Sequence, residues 1–526
     1  MKLYKFLALG GVVLSVGFSS CTGDLDVQPA DPSKKTELTS RSEYLGELAG
    51  CYYGLAKEGG ITSGATGGES IYTRILTNLQ ELPTDEMVVC GNWNDAGIDD
   101  LVFALPSSDN HWIYDMFSRL NAYIAICNQF LKDINNAGEF FTSDEIAEMK
   151  AEVRVLRDLG YYHMIDLFGR GPWTDEYSTV GATPPTYDRN QLFDAVVKDL
   201  IENIPLITPA SQQGYGRISR EAGYALLAKL YLNAKVYVGT PMYQQCAEAC
   251  MNIINSDYGF RLADTYKYLF CGSNKKYVAC AEQKGNGGEI IWSVPQDALT
   301  LQSYGGTTYL SGGAYSNAAE LKDIKSQWGC GADGWQGPHM RPETVNNFSA
   351  TDTRALFYGD IFELNLYDIS AWGDAGTSGY MCLKYVYTDE SDYYNTTGNS
   401  GSATIFNSAD FPMFRLADIY LMLAECQMNG VNCNGLDYYN AVRHRAGLAN
   451  VGTLPDNKGM LDERNRELYW EAHRRSDMIR LGYYTGSAYN WQWKAGTYNG
   501  GAIDATRNLM PIPPQFVSTL GQNPGY

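Results

Sequence analysis

Apolar residues recurring at three- and four-residue steps dominate two long parts of this 526-residue chain, and that spacing demands helices. Thr142-Ser-Asp-Glu145 opens one such run with a capping box, in which the Thr oxygen and the Glu carboxylate satisfy backbone amides reciprocally. Ile146, Met149, Val153, Leu156 and Leu167 then fall on one face, predicting a helix over 142–168. Segments 187–204, 219–238 and 241–255 follow with short polar connections, and Pro241 suits a first helical turn. Nearer the C-terminus, 412–428, 435–447 and 460–482 carry the same pattern.

Helix pairs joined by short turns, packed through Ala, Leu and Tyr as in Ala225-Leu-Leu-Ala-Lys-Leu-Tyr231, look like degenerate tetratricopeptide-type hairpins without a strict period. Between 260 and 410 the texture changes. Gly, Tyr, Asn and Thr dominate, and strand-like pieces such as Glu289–Val294 and Met381–Tyr387 are short. Long, weakly regular segments held by a rigid frame are where binding residues tend to sit. The predicted fold is therefore mainly α: a tetratricopeptide-like superhelical frame (41–259 and 411–526) carrying one large irregular α+β lobe (260–410).

The N-terminus has its own logic. Lys2 and Lys5 precede an uncharged, mostly apolar run, Phe6–Phe18, too short for the ~20 residues a membrane-spanning helix needs. It reads as a cleaved export signal over residues 1–20. Cys21 at the cleavage point resembles the lipid-attachment cysteine of bacterial lipoproteins, where two acyl chains already give stable membrane attachment. Residues 21–40 are polar and proline-containing and suit a tether. Asp24 and Asp26 there resemble the acidic surface-export signal of Bacteroidetes lipoproteins, or are simply part of a solvated linker.

Charge and cysteine usage exclude several functions. The formal charge is −20 with no Lys/Arg run, which removes the electrostatic basis for nucleic-acid binding. The twelve cysteines show no C-x-x-C pair and no zinc spacing, and Cys246 and Cys250 read as small packing residues on a helix. No metal, redox role or cofactor is expected, and the lobe's Asp residues lack EF-hand spacing, which leaves a structural Ca²⁺ unspecified. G-x-S-x-G, H-E-x-x-H and phosphate-loop motifs are all missing, so no enzyme is expected. A glycosidase, needing only two suitably spaced carboxylates, is the competing enzyme reading. Aromatics make up 13% of the chain, including 39 Tyr and 10 Trp, an investment suited to surfaces with one apolar and one wet side.

Three blocks carry a family resemblance. They are Ala151-Glu-Val-Arg-Val-Leu-Arg157 through Tyr162 to Leu167-Phe-Gly-Arg170; Phe411-Pro-Met-Phe-Arg-Leu-Ala-Asp-Ile-Tyr-Leu-Met-Leu-Ala-Glu425; and Glu463 through Trp470 to Arg480. With Pro511-Ile-Pro-Pro514 and Gln522-Asn-Pro-Gly-Tyr526, these resemble the SusD/RagB family of outer-membrane lipoproteins. The resemblance implies a non-catalytic, surface-exposed protein, lipid-anchored to the outer membrane over a SusC-type TonB-dependent porin. Its cargo would be starch or malto-oligosaccharide. Alternatives are another polysaccharide, a host glycan or peptide-derived nutrient, or a purely architectural lid. The blocks themselves read as structural: Glu471 stands four residues before Arg475, a favourable helical ion pair, and Arg464, Arg466, Glu467, Arg474 and Asp477 can extend a lattice. His444 and His473 share that frame-holding role.

Sugars present an apolar C–H face and a rim of hydroxyls, so their sites need flat rings and fixed polar groups. Residues 69–95 and 303–335 supply both. By resemblance to starch-binding members, Trp93, Tyr304 and Trp335 would be platforms, Arg74 would donate to hydroxyls, and Asn94 would donate and accept. Glycines in Tyr304-Gly-Gly-Thr-Thr-Tyr309 would bring backbone close to the ligand. Starch-type members often carry a second aromatic shortly before the first Trp; here Gly91 or Val89 stands there, which leaves the register between Glu86 and Trp93 open. Trp328, Trp372, Trp491 and Trp493 are assigned to the core.

Overall fold

A computed structural model describes residues 37–57, 67–89, 95–179, 181–315, 328–329, 334–358, 379–390 and 405–526. The leader, Cys21, Asp24 and Asp26 lie outside the described residues.

The frame is helical throughout its first half: α1 (Arg41–Ala56), α2 (Tyr72–Glu81), α3 (Ile98–Val102), α4 (His111–Asp133), α5 (Ser143–His163), α6 (Arg189–Asn203), α7 (Arg220–Val238) and α8 (Tyr243–Ile254). Local chemistry fixes their starts. Thr142 and Glu145 form the reciprocal capping box before α5, with Glu145 N–H donating to Thr142 Oγ1 at 3.3 Å and Thr142 N–H to Glu145 Oε2 at 2.8 Å. Asp188 and Gln191 repeat the arrangement before α6, which the sequence reading did not single out. Helix α5 runs on into one π turn, Met164–Phe168, and ends at Gly169 in the left-handed region. Pro241 lies just outside α8 rather than in its first turn.

The second half adds α9 (Gly306–Ser311), α10 (Pro342–Val345), α11 (Leu416–Met428), α12 (Gly435–Arg445), α13 (Asn457–Leu468), α14 (Arg474–Leu481) and α15 (Pro514–Leu520). Neighbours in sequence pack together as hairpins: α4 on α5, α5 on α6, α7 on α8, and α11 on α12, with α8 also against α11. This is the tetratricopeptide-like arrangement expected. Among the described residues the sheets are four antiparallel pairs: β1 (Met87–Val89) with β5 (Pro338–Met340), β2 (Arg170–Pro172) with β3 (Thr186–Asp188), β4 (Ile290–Val294) with β8 (Phe411–Arg415), and β6 (Phe357–Tyr358) with β7 (Met381–Cys382). The β4–β8 pair, irregular on either side of Trp292, splices the 260–410 segment onto the frame.

Two expectations fail for tertiary reasons. Residues 411–415 form β8, so the helix predicted from 412 begins only at Leu416. The helix predicted over 460–482 is two helices, broken where Trp470 and Ala472 both take φ +61°. Carboxylates at the end of α2 and just before β1 replace the lost helical bonds: Trp470 N–H donates to Glu86 Oε2 and His473 N–H to Glu81 Oε1, both at 3.1 Å. Asp85 meanwhile takes Arg474 through two 2.7 Å bonds. The anticipated Glu471–Arg475 pair consequently does not form. Glu471 turns to Arg415 (2.6 and 2.8 Å) and Lys384 (2.6 Å), while Arg475 donates to the carbonyls of Arg507 and Asn508.

The other charges in that block are buried in ion pairs. Arg415 also meets Glu289 (2.7 Å) and Glu467 (3.0 Å), and Arg354 meets Asp352, Glu463 and Glu467. Arg464 joins Asp418 and Asp477, and Arg480 joins Glu425 and Asp477. Burial raises the Glu467 carboxyl's cost of ionising, yet Arg445, Arg415 and Arg354 hold it at about 2. Because Arg354 and Lys384 come from the lobe and Glu463, Glu467 and Glu471 from the frame, this lattice fixes one against the other. His473 faces Lys229 at 3.0 Å, whereas His444 is exposed on α12 and takes no part in the lattice. Cys246 and Cys250 are buried free thiols inside α8.

Candidate functional site

Ser303-Tyr304-Gly305-Gly306 leads into α9. Gly305 N–H donates to Ser303 Oγ at 2.9 Å, which tightens the turn and leaves Tyr304 at its outer edge. Gly305 is there for packing: a Cβ at this position would come within 1.7 Å of Ile71 Cγ2. The close approach this glycine makes is to the protein's own α2 entry. Tyr304 is 47% exposed.

The far end of α9 brings in a second ring. Trp335 N–H donates to Gly312 O at 2.9 Å and Gly337 N–H to Gly313 O at 2.7 Å, so residues 335–337 run alongside the chain leaving α9. The indole of Trp335 is half-buried, its centroid 5.7 Å from the Tyr304 ring with the planes 47° apart. The structure therefore gathers these two candidates at one partly open place.

A third ring, Phe406, stands 5.0 Å from Tyr304 at 58°. Buried Asn407 fixes it. Asn407 N–H donates to Thr308 Oγ1 at 3.0 Å, and its side-chain amide donates to Ser311 Oγ (2.9 Å) and Val386 O (3.2 Å) while accepting from Ala409 N–H (2.8 Å). Three of those bonds tie the segment to α9 and to Val386 behind it, and the fourth, from Ala409, closes its own turn. Sequence reasoning missed Phe406; its only signal is an apolar pair, Ile405-Phe406, ending a Gly/Ser/Thr/Asn-rich run.

Arg74 occupies a different place from the one expected. It is 4% exposed on the wholly buried α2, pairs with Asp95 at 2.5 Å, and lies 4.5 Å above the Tyr309 ring and 5.1 Å from that of Trp112. Tyr309 in turn donates to Asn78 Oδ1 at 2.9 Å. Arg74 so placed braces α9 from beneath instead of presenting donors at the surface. Burial and the neighbouring Asp95 push the Glu69 carboxyl up. Trp93 and Asn94 lie outside the described residues, as does Trp372. Trp328 and Trp491 are core residues, each 1% exposed, while Trp493 is half-buried against Phe103 and Tyr498. Among the described residues no group of His, Cys, Asp and Glu is arranged to hold a metal ion.

Two family profiles match this chain: one described as the SusD family over residues 358–526, the other as starch-binding, associating with outer membrane, over residues 60–232. The starch-binding protein SusD of Bacteroides thetaiotaomicron is 28% identical, with 98% of this chain and 97% of that protein aligned. The fold matches a surface glycan-binding protein A from Bacteroides uniformis (TM-score 0.68, 18% identity, 92% of this chain and 99% of that one). It also matches the B. thetaiotaomicron surface glycan-binding protein A solved with laminarihexaose (TM-score 0.66, 18% identity, 92% and 100%). The chain belongs to the SusD/RagB family.

Proposed function

We propose that this chain is a lipid-anchored outer-membrane protein that captures glycans at the cell surface, specifically starch and related α-glucan oligosaccharides, and delivers them to a TonB-dependent SusC-type porin. The observation that carries the reading is the cluster of Tyr304, Trp335 and Phe406, three tilted rings at a partly open surface. Rings at 47° and 58° to one another make a bent surface, which suits a glucan whose successive residues turn better than a flat ribbon. The starch-binding relative supports the α-glucan as cargo. Among the described residues no helix is long and apolar enough to cross a membrane, and attachment in this reading falls to acyl chains on Cys21. Trp93 and Asn94 would extend the ring site, with Arg74 as its brace.

One observation favours a second cargo. A structural neighbour holds laminarihexaose, a β-1,3-glucan that also turns along its length. Native gels cast with amylopectin, laminarin or hydroxyethylcellulose separate the readings. Retardation in amylopectin, lost in Trp335→Ala, is the expected result. Retardation only in laminarin moves the assignment to the β-1,3-glucan. Unchanged mobility in every gel leaves an architectural lid and overturns the glycan reading.

A further inference from the structure

We propose that a pocket of about 340 Å³ on the lobe is a second saccharide-binding site, sharing no residue with the ring cluster. Arg261 and Asp264 stand on one wall; Tyr268, Lys276, Tyr277 and Glu390 form the other.

Both walls are fastened to buried structure. Arg261 N–H donates to Gly287 O at 2.9 Å, and the Arg261 side chain lies across Gly287, where a Cβ would meet its Cγ at 3.0 Å. Two residues on, Ala263 N–H donates to Glu289 Oε2 at 2.5 Å, and Glu289 is held by Arg415 and Arg445 in the buried lattice. On the opposite wall Glu390 N–H donates to Ser273 Oγ at 3.0 Å, and Gly272 N–H to Thr388 O at 2.9 Å. Tyr277 donates its hydroxyl to Glu390 Oε2 at 3.1 Å, and Lys276 pairs with the same carboxylate. A pocket so braced is formed before any ligand arrives, which removes part of the ordering cost of binding.

Its chemistry selects a neutral polyol. Among the described lining residues the two cations and two carboxylates are matched, Arg261 with Asp264 at 3.6 Å and Lys276 with Glu390, which leaves no unpaired charge there to fix an ionic ligand. Ion pairs this exposed are weak and share their remaining hydrogens and lone pairs readily. Hydroxyl groups both donate and accept, and so can use both signs at once. Tyr268 and Tyr277 are half-buried, each offering an apolar ring beside a polar tip. One or two sugar units fill a cleft at the small end of the ~300–1,000 Å³ range of ligand sites.

Saturation-transfer NMR with maltose and laminaribiose on the mature chain tests this. In the Tyr304→Ala/Trp335→Ala/Phe406→Ala background, which removes the three rings of the cluster, transfer to a disaccharide is expected to persist. Adding Arg261→Ala and Tyr268→Ala should weaken it at least tenfold. If Tyr268→Ala lowers the melting temperature, Arg261→Ala alone, at a side chain 55% exposed, makes the same discrimination. No transfer in the ring-cluster background, or transfer indifferent to Arg261, overturns the second site without touching the first. Galacturonate bound more than tenfold tighter than maltose would overturn the neutral-ligand assignment.

Discussion

Arg415 and Tyr304 sit at opposite extremes of one chain. Arg415 is 2% exposed and meets three carboxylates, one beside β4 and two at or just past the end of α13; Tyr304 is 47% exposed and meets two other rings. Two of the three blocks that carry the family resemblance, 411–425 and 463–480, meet at the first, whereas the proposed binding surface is built around the second. The difference has a physical origin. Buried charges tolerate almost no substitution, because each loss strands a partner in a medium that solvates it poorly. An exposed ring can be exchanged at little cost to folding, so the lobe is free to vary its cargo while the lattice holds it in place.

The largest expected effect comes from breaking the lattice. Arg415→Met keeps the apolar stem but leaves Glu289, Glu467 and Glu471 short of their shared cation. Removing one partner of a buried ion pair costs about 3–5 kcal/mol. Urea denaturation should show a loss of that order, with the folded fraction still retarded in the glycan gel. A loss below about 1 kcal/mol would mean that the lattice is dispensable and that buried charge and exposed ring are equally free to vary.

A subtler test of the frame uses pH. His163 is buried, its Nε2 2.5 Å from the Tyr72 hydroxyl, and burial drives its pKa from 6.5 down to about 4. Below pH 6.5 the unfolded chain takes up a proton that the folded chain refuses until about pH 4. Stability from the neutral imidazole is therefore complete above 6.5 and is lost as pH falls through that window. Between pH 7.5 and pH 5 the loss is about 2 kcal/mol. His163→Gln cannot titrate, so the stability gap between wild type and variant should narrow by that amount, measured by denaturation at both pH values. A gap independent of pH would show that His163 titrates in the fold as it does in the unfolded chain, as a solvated imidazole would.

Helices with strong caps and uninterrupted periodicity were legible in the sequence. Thr142 and Glu145 announce α5 because both partners of that cap lie within four residues. The break at Trp470–Ala472 was not legible, because what breaks it lies far away in the chain: Glu81 and Glu86, which take the backbone N–H groups the helix would have used. Likewise β8 replaces the first turn of a predicted helix because β4, more than a hundred residues earlier, supplies a partner strand. At the ring site, Tyr304 and Trp335 were legible through their Gly-rich company. Arg74 shows the converse: a cation beside aromatic residues looks the same in sequence whether it faces solvent or, as here, Tyr309 and Asp95. Phe406 had no motif to reveal it, because what positions it is Asn407 bonded across to α9.

The smallest effects belong to the ring cluster, and their order is informative. Tyr304→Ala removes the most exposed ring and should weaken α-glucan binding about tenfold, or about 1.4 kcal/mol. Unfolding should change by less than about 0.5 kcal/mol, as for a surface substitution. Phe406 is half-buried, and its contact is with Tyr304 rather than with open solvent alone. Phe406→Leu keeps apolar volume but removes the tilted ring, so binding should fall only about threefold, roughly 0.65 kcal/mol. Applied to the Tyr304→Ala background, Phe406→Leu should then cost much less than it does in the wild type, because residues acting through one contact are not additive. Affinity electrophoresis of the two single variants and the double variant closes that cycle. Fully additive losses would mean that Phe406 touches the sugar on its own, and the cluster would then be a row of independent platforms, not one braced surface.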